Sequence, residues 1–457
     1  MKKIFTLAAA ICGAALIFPS TAMAGDDVDV NEANFPDPNF RAYITEEIDT
    51  NADGVLSADE IAAATYIDVA EKGIASLAGI EYLTATETLL CWGNQLTTLD
   101  VSKNAALWSL TCSQNQLTQL DLTHNTELAY LYCYTNQLTS LDLSQNTSLS
   151  TLYCNDNQLT ALDVSHNNSL RTLICGNNQI EELNVSNLMR LWQFDCGGNQ
   201  LTKLDVTNNK WMESLRCWGN QLESLDVSQN TSLYYLEAFN NKFSTLDVSA
   251  ATNLHYVWCY GCELTSLTTG DNSTLEGIYC QDNQLTKLDL NGNTGLKSLY
   301  CSGNQLVALD LSSNTKLTEL ECQDNVAKFA DVLVGGKSYV AASSLEPFGF
   351  DISRVDQSLL TYVNGVECIC LGACASADAE LSLAYTYDTG NSRVANPTFT
   401  ISRIAGNGTT AVQAVEGQHQ TAVEGYYTAA GIRTNASAKG LRIMRFADGS
   451  TKKVLVK

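Results

Sequence analysis

The sequence predicts a mostly β fold: a solenoid of about 12 coils with two parallel sheets, a small helical cap before it and a small β domain after it. Three observations carry this expectation. Cys91, Cys112, Cys133, Cys154, Cys175, Cys196, Cys217, Cys259, Cys280, Cys301 and Cys322 stand on a 21-residue ruler, with Ala238 at the one step that lacks Cys. Asn follows each ladder position by three residues, from Asn94 to Asn325, except where Cys262 stands instead. No insertion or deletion breaks the rule. A short coil cannot bury its apolar side alone, so a strict period implies stacking on neighbours.

Within one coil, Leu107-x-x-Leu110-x-Cys112-x-x-Asn115 is followed by Leu117-x-x-Leu120-x-Leu122-x-x-Asn125, the same pattern twice. Leu110 and Cys112 are two apart and share one face of a strand, with Thr111 outward. Leu120 and Leu122 predict a second strand with Asp121 outward. Coils at a spacing of about 4.8 Å would build a rod of roughly 58 Å. Buried Asn suits a tight coil because it pairs backbone groups left over by the turns. The repeat is the leucine-rich repeat signature. Residues 65–325 resemble the 21-residue nested class of bacterial leucine-rich repeats, and the Cys in the strand is similar to surface proteins of the internalin J type. The resemblance implies the fold and a binding role; it does not name a ligand.

Before the solenoid, residues 1–24 read as a secretory signal peptide: Met1-Lys2-Lys3, an apolar run from Ile4 to Phe18, then Ala22-Met23-Ala24 at the cleavage site. No later segment is apolar over a membrane-spanning length. Residues 25–64 predict a helical, EF-hand-like cap. Asp49, Asn51 and Asp53 offer side-chain oxygens at the first, third and fifth loop positions, and Gly54 permits the sharp turn. Val55 offers its carbonyl, Ser57 sits at the ninth position, and Glu60 closes the loop with two oxygens. Helices are expected at Asn39 to Ile48 and Ser57 to Ala64. One structural Ca2+ is the expected cofactor; a loop that folds without metal is the alternative. A single loop suits a stiffened cap over an atypical first coil at Ile67 to Ile80.

The chain carries 26 Lys and Arg against 50 Asp and Glu, a formal charge of −24. Nucleic acid and anionic lipid are therefore poor partners, since no basic field exists to release counterions. The cysteines, 16 in all, suggest disulfides in an exported chain. Ladder neighbours lie on parallel strands with side chains side by side, the wrong geometry for a bridge. They read as small apolar residues in Leu slots, and a line of thiols does not converge as zinc requires. Cys368, Cys370 and Cys374 lie outside the ladder.

Positions next to the ladder face outward. One before it stand Tyr132, Tyr153, Trp258, Tyr279 and Tyr300; one after it stand Trp92, Tyr134, Trp218, Phe239 and Tyr260. Ten of these 24 positions are aromatic against 8% of the chain, which marks the row as selected. Tyr130, Tyr235 and Tyr256 extend it three residues before the ladder. A contiguous aromatic face is a ligand-binding candidate; aromatic residues that simply suit strands are the alternative. The second row shows Asp at Asp100, Asp121, Asp142, Asp163, Asp205, Asp226, Asp247, Asp289 and Asp310, with Asn184 and Thr268 as substitutes. Like charges so close need compensation, and Asp capping its own turn is the expected source. No catalytic motif accompanies His124, His166, His255 or His419.

Beyond Asn325 the period ends. Residues 326–404 predict a small β capping domain with strands at Ser338–Ala342, Val366–Leu371, Glu380–Tyr387 and Thr398–Ile404. Residues 405–424 read as a linker. Residues 425–457 hold Tyr426-Tyr427, Gly440-Leu441-x-Ile443-x-Arg445 and Lys452-Lys453-Val454-x-Val456-Lys457. This tail resembles the carboxyl-terminal sorting signal of the type IX secretion system of Bacteroidota, which implies that machinery as a partner. The expected function is non-enzymatic: a secreted or outer-cell-surface recognition or adhesion protein, monomeric, that binds a protein or glycan on its aromatic sheet. A structural surface spacer and an accessory glycan-capture protein are the alternatives.

Overall fold

In the computed structural model the described residues are 27–404, apart from 335–336, 364 and 374–379, together with the strands between 423 and 456. The expected signal peptide, Cys374, His419 and most of the expected linker lie outside them. Thirteen short strands, from Tyr66–Asp68 to Glu319–Glu321, form one parallel sheet. Each strand is one coil on from the last: Ser109 pairs with Tyr130, Leu110 with Leu131 and Thr111 with Tyr132. The central Leu, Phe, Val or Ile is buried in almost every coil, and the residues on either side of it face out. A one-residue slip would turn the buried row to solvent, so the register is strongly specified.

The ladder thiols sit under the end of each strand, buried and free. Burial pushes them up, Cys112 and Cys280 to about 12, so they are unreactive apolar groups. The Asn that follows each Cys clasps two coils. Asn136 Nδ2 donates to Cys112 O and Cys133 O at 3.0 and 3.1 Å, and its Oδ1 accepts from Leu117 N at 3.0 Å. A second buried Asn row, through Asn104, Asn125, Asn146 and Asn167, donates to the carbonyls of the coil before.

The expected second sheet is largely absent. Only Thr245–Asp247 and Ser266–Thr268 pair on that side. Elsewhere the outward Asp accepts the backbone N–H two residues on, as from Asp121 to Thr123 and from Asp142 to Ser144. The backbone there goes into side-chain-capped turns in place of a strand ladder. Asn184 makes the same bond to Ser186. The single strand pair falls where Thr268, which carries no carboxylate, occupies the row.

Both ends of the solenoid are closed. A helix at Pro38–Tyr43, capped by Asp37, runs on as a wider turn over Ile44–Ile48, and a second helix spans Ala58–Ala63. Phe35, Phe40, Ile44 and Leu56 are fully buried against the first coil. Asp37 Oδ2 accepts from Ala75 N and Ser76 N at 2.8 and 3.2 Å, tying the cap to that coil. At the other end all four expected strands appear, at Lys337–Ala341, Val366–Ala373, Ser382–Thr386 and Thr398–Arg403. Val326–Phe329, Val332–Val334 and Leu360–Val363 add three that were not expected. This domain imitates a further coil: Asn391 Nδ2 donates to Asn314 O, the bond that the next Asn of the row would make. Arg354 braces the join through Asp310 at 3.2 Å.

The tail forms its own antiparallel sheet from Val423–Tyr427, Arg433–Thr434, Gly440–Phe446 and Thr451–Val456. The last two strands pair antiparallel, Gly440 with Val456 through Arg445 with Thr451. Val423 begins two residues inside the stretch read as linker, because pairing with Phe446 extends the strand.

Candidate functional site: the aromatic face of the sheet

The parallel register places the outward residues of successive coils directly over one another. The expected aromatics therefore stack. Tyr132 lies on Tyr153 with ring centroids 5.0 Å apart. Trp258, Tyr279 and Tyr300 form a column at 5.2 and 5.0 Å. Tyr235 and Tyr256 stack beside it at 5.5 Å, and Trp218, Phe239 and Tyr260 make a parallel column just past the strand ends. Glycines clear the space: a Cβ on Gly277 would meet the Tyr256 ring at 2.8 Å, and one on Gly197 would meet the Trp218 indole at 2.4 Å. Tyr130 meets Trp108 edge to face at 4.7 Å. Trp92 and Tyr134 face the same way, half-buried and outside any ring pair.

Stacking changes what this face offers. Of the thirteen expected ligand residues only Tyr235 is exposed; the others are half-buried, most of them against one another. Between the aromatic halves lies a polar bridge, Asp195, Arg216 and Glu237, with Arg216 Nε 2.9 Å from Glu237 Oε1. Burial raises the Asp195 carboxyl. Tyr256 donates its hydroxyl to Glu276 at 2.9 Å, and that bond, with burial, pushes the phenol up to about 12. The face is thus a rigid aromatic surface with hydroxyls, carboxylates and amides along it, suited to stacking and hydrogen bonding.

Three exposed rings, Trp108, Trp192 and Tyr234, belong to a row that the sequence reading passed over. Four residues before each ladder position, Trp108, Arg171, Trp192, Glu213, Tyr234, His255 and Glu276 run along the sheet margin. Inter-coil backbone bonds hold the row in register, as from Trp192 N to Arg171 O and from Glu213 N to Trp192 O, 2.9 and 2.8 Å. Tyr234 stacks on His255 at 3.9 Å. The signal was available: these positions share the same 21-residue period.

The six expected ligands of the amino-terminal loop run from Asp49 through the Val55 strand to Ser57, which caps the second helix, and Glu60 within it. Asp49 accepts from Asp53 N and Gly54 N at 3.2 and 2.9 Å, and Asn51 accepts from Asp53 N at 2.9 Å. The Val55 strand pairs with Val28–Asp29, where a second loop would pair in a two-loop unit. The donors are all oxygen, which fits a hard cation. Glu60 is turned aside: Oε2 accepts from Ser57 N and Oγ, and Oε1 from Thr50 N and Oγ1. Those bonds lower its carboxyl to about 2. Among the described residues no three His, Cys, Asp or Glu side chains converge on a point.

A single parallel sheet with Cys under nearly every strand and Asn clasping nearly every turn defines a leucine-rich repeat solenoid with a cysteine ladder. The chain is similar to internalin J of Listeria monocytogenes: 85 residues are 39% identical, covering 19% of this chain and 9% of that relative. The functional domain of InlJ from Listeria monocytogenes, which includes a cysteine ladder, matches in structure with a TM-score of 0.52 at 27% identity, over 83% of this chain and 99% of that one. An internalin, InlF, of the same species matches at TM-score 0.51 and 25% identity, over 65% and 92% of the two chains. No family model matches the chain. Among the described residues no helix is long and apolar enough to cross a membrane.

Proposed function

We propose that the chain is a secreted or cell-surface recognition protein, adhesin-like, which holds a protein or glycan ligand on the aromatic outer face of its sheet. The observation that carries this reading is the pair of stacked columns around Tyr235, Trp258 and Trp218. They set a rigid apolar surface next to polar groups and cost little ordering on binding. The role is capture, not turnover. The test is an array of glycans and extracellular proteins probed with the folded chain and with a Tyr132, Tyr134, Trp218 and Trp258 to Ala variant. Loss of the hits with an unchanged melting curve is expected. Retention of every hit would refute the aromatic face as the binding surface, and no hit with either protein would leave the solenoid a spacer.

The amino-terminal loop is proposed to hold one structural Ca2+ through Asp49, Asn51, Asp53, Val55, Ser57 and Glu60, with Glu60 exchanging its Ser57 and Thr50 partners for the ion. Calcium should raise the melting temperature of the cap, and Asp49→Ala should abolish the rise. The 425–457 tail is proposed to direct export through type IX machinery. Deletion of 433–457 should strand the protein inside the outer membrane, and surface display without it would refute that role.

A further inference from the structure

At the sheet margin, halfway along the solenoid, Arg171, Arg190, Trp192 and Trp211 line an open depression of about 300 Å³. That is the lower end of the range for small-ligand sites, roughly 300–1,000 Å³, and suits a single sugar ring. Three successive coils build it. Arg171 and Trp192 belong to the margin row, bonded through Trp192 N and Arg171 O at 2.9 Å. Arg190 and Trp211 stand two residues before that row, again one coil apart.

Four features set the depression apart from the columns described above. Trp211 and Trp192 are 69% and 44% exposed, and neither ring stacks on another among the described residues, whereas the column rings cover each other. Both guanidiniums are exposed, and neither makes an ion pair or side-chain hydrogen bond among the described residues, although acids outnumber bases by 50 to 26 in the chain. The charges nearby in sequence are mixed, Lys210 beside Trp211 and Glu213 next in the margin row, so the two arginines are not one patch of a basic surface. Met189, 65% exposed, sits just before Arg190 and adds apolar area.

We infer that this depression is a binding site for an anionic saccharide, with the two indoles as platforms for pyranose rings and the two arginines as forks for a carboxylate or sulfate. An exposed indole presents a flat apolar face of sugar size, and guanidinium binds planar oxyanions in two-point fashion. Polynucleotides carry phosphate instead, and their affinity rests on many phosphate contacts, of which two arginines in a chain of −24 charge supply few. An acidic peptide satisfies the arginines and leaves the two bare platforms without a role. The inference uses none of the column residues, so it stands or falls apart from the reading above.

The test is titration of the folded chain, by calorimetry and indole fluorescence, with oligogalacturonate, a chondroitin sulfate oligosaccharide, neutral oligogalactose and a poly-Glu peptide. Binding of the acidic saccharides is expected, weakening with added salt, with neutral oligogalactose at least tenfold weaker. Trp211→Ala should lose at least tenfold, as should Arg171→Gln with Arg190→Gln; Tyr362→Ala, an equally exposed ring (70%) in the carboxyl-terminal domain, should change nothing. The two acidic saccharides tell carboxylate from sulfate. Binding of neither at millimolar concentration overturns the inference, as does neutral oligogalactose binding equally. Poly-Glu binding as tightly, with the same arginine loss and no tryptophan loss, makes the site a peptide reader and overturns it too. Melting curves of each variant check the fold, and the exposed positions of all four side chains leave no packing to lose.

Discussion

Most coils carry two buried asparagines with the same period, and the two rows do different work. On the sheet side, Asn136 uses every polar atom: two donations to Cys carbonyls and one acceptance from Leu117 N. On the turn side, Asn146 also donates twice, to Leu122 O and Asn125 O, but its Oδ1 is buried with no partner. Substitutes that the chain itself uses follow the same divide. The sheet-side row admits only Cys262, whose thiol still donates to Ala238 O. The turn-side row admits Leu188 and Ala251, which donate nothing. Identical residues at identical spacing therefore mark an obligatory clasp on one side and a replaceable tie on the other.

The largest expected effect breaks the clasp. Asn136→Leu leaves Leu117 N without its only partner, while the Cys112 and Cys133 carbonyls keep Asn115 and Asn157. An orphaned buried donor plus lost bonds should cost about 2–4 kcal/mol. Asn146→Leu is the matched control. Leu122 O keeps Asn125 N and Asn125 O keeps Leu128 N, and the unpaired Oδ1 disappears, so the cost should stay under about 1 kcal/mol. Urea unfolding of the two variants side by side measures the gap; equal losses would show that the two rows are equivalent. Next in size is a kinetic effect on the thiols of the sheet side. Cys112 and its neighbours are buried and held protonated, so alkylation of native protein should wait for unfolding. Asn136→Leu should speed it, and Asn146→Leu should not.

The same divide explains what was legible in the sequence. The 21-residue period gave register without ambiguity, and register alone predicts which rings stack. Leu-x-Leu, by contrast, reads identically for a strand and for a capped turn. The capping bond does not separate them, since Asp247 accepts from Ser249 N inside the one strand pair just as Asp121 accepts from Thr123 N in a turn; the pair forms where Thr268 replaces the Asp of the neighbouring coil. In the cap, Ser57-x-x-Glu60 serves both as a helix capping box and as the ninth and twelfth positions of a calcium loop, so one motif cannot reveal which way Glu60 points. Trp192 and Trp211 lie four and six residues before the ladder, where the strand alternation set by the Cys no longer says which way a side chain faces.

The smallest effect tests the turn side through its charge. Hydrogen bonds from Ser102, Thr123, Ser144 and Ser165 hold Asp100, Asp121, Asp142 and Asp163 below the usual carboxylate range. A carboxyl depressed on folding contributes stability above its unfolded pKa and loses it as pH falls through the folded value. The turns should therefore weaken only in acid, below about pH 4. Asn184 makes the bond to Ser186 without a charge, so Asn is the natural neutral replacement. Changing Asp121, Asp142 and Asp163 together to Asn should leave the urea midpoint at pH 7 unchanged or slightly lower, since the hydrogen bonds to each charged carboxylate outweigh its repulsion by the neighbours. The acid limb of the midpoint-against-pH curve should flatten relative to the parent. A variant whose acid limb superimposes on the parent's would show that these caps act as hydrogen-bond acceptors alone, with their charge fully screened by water.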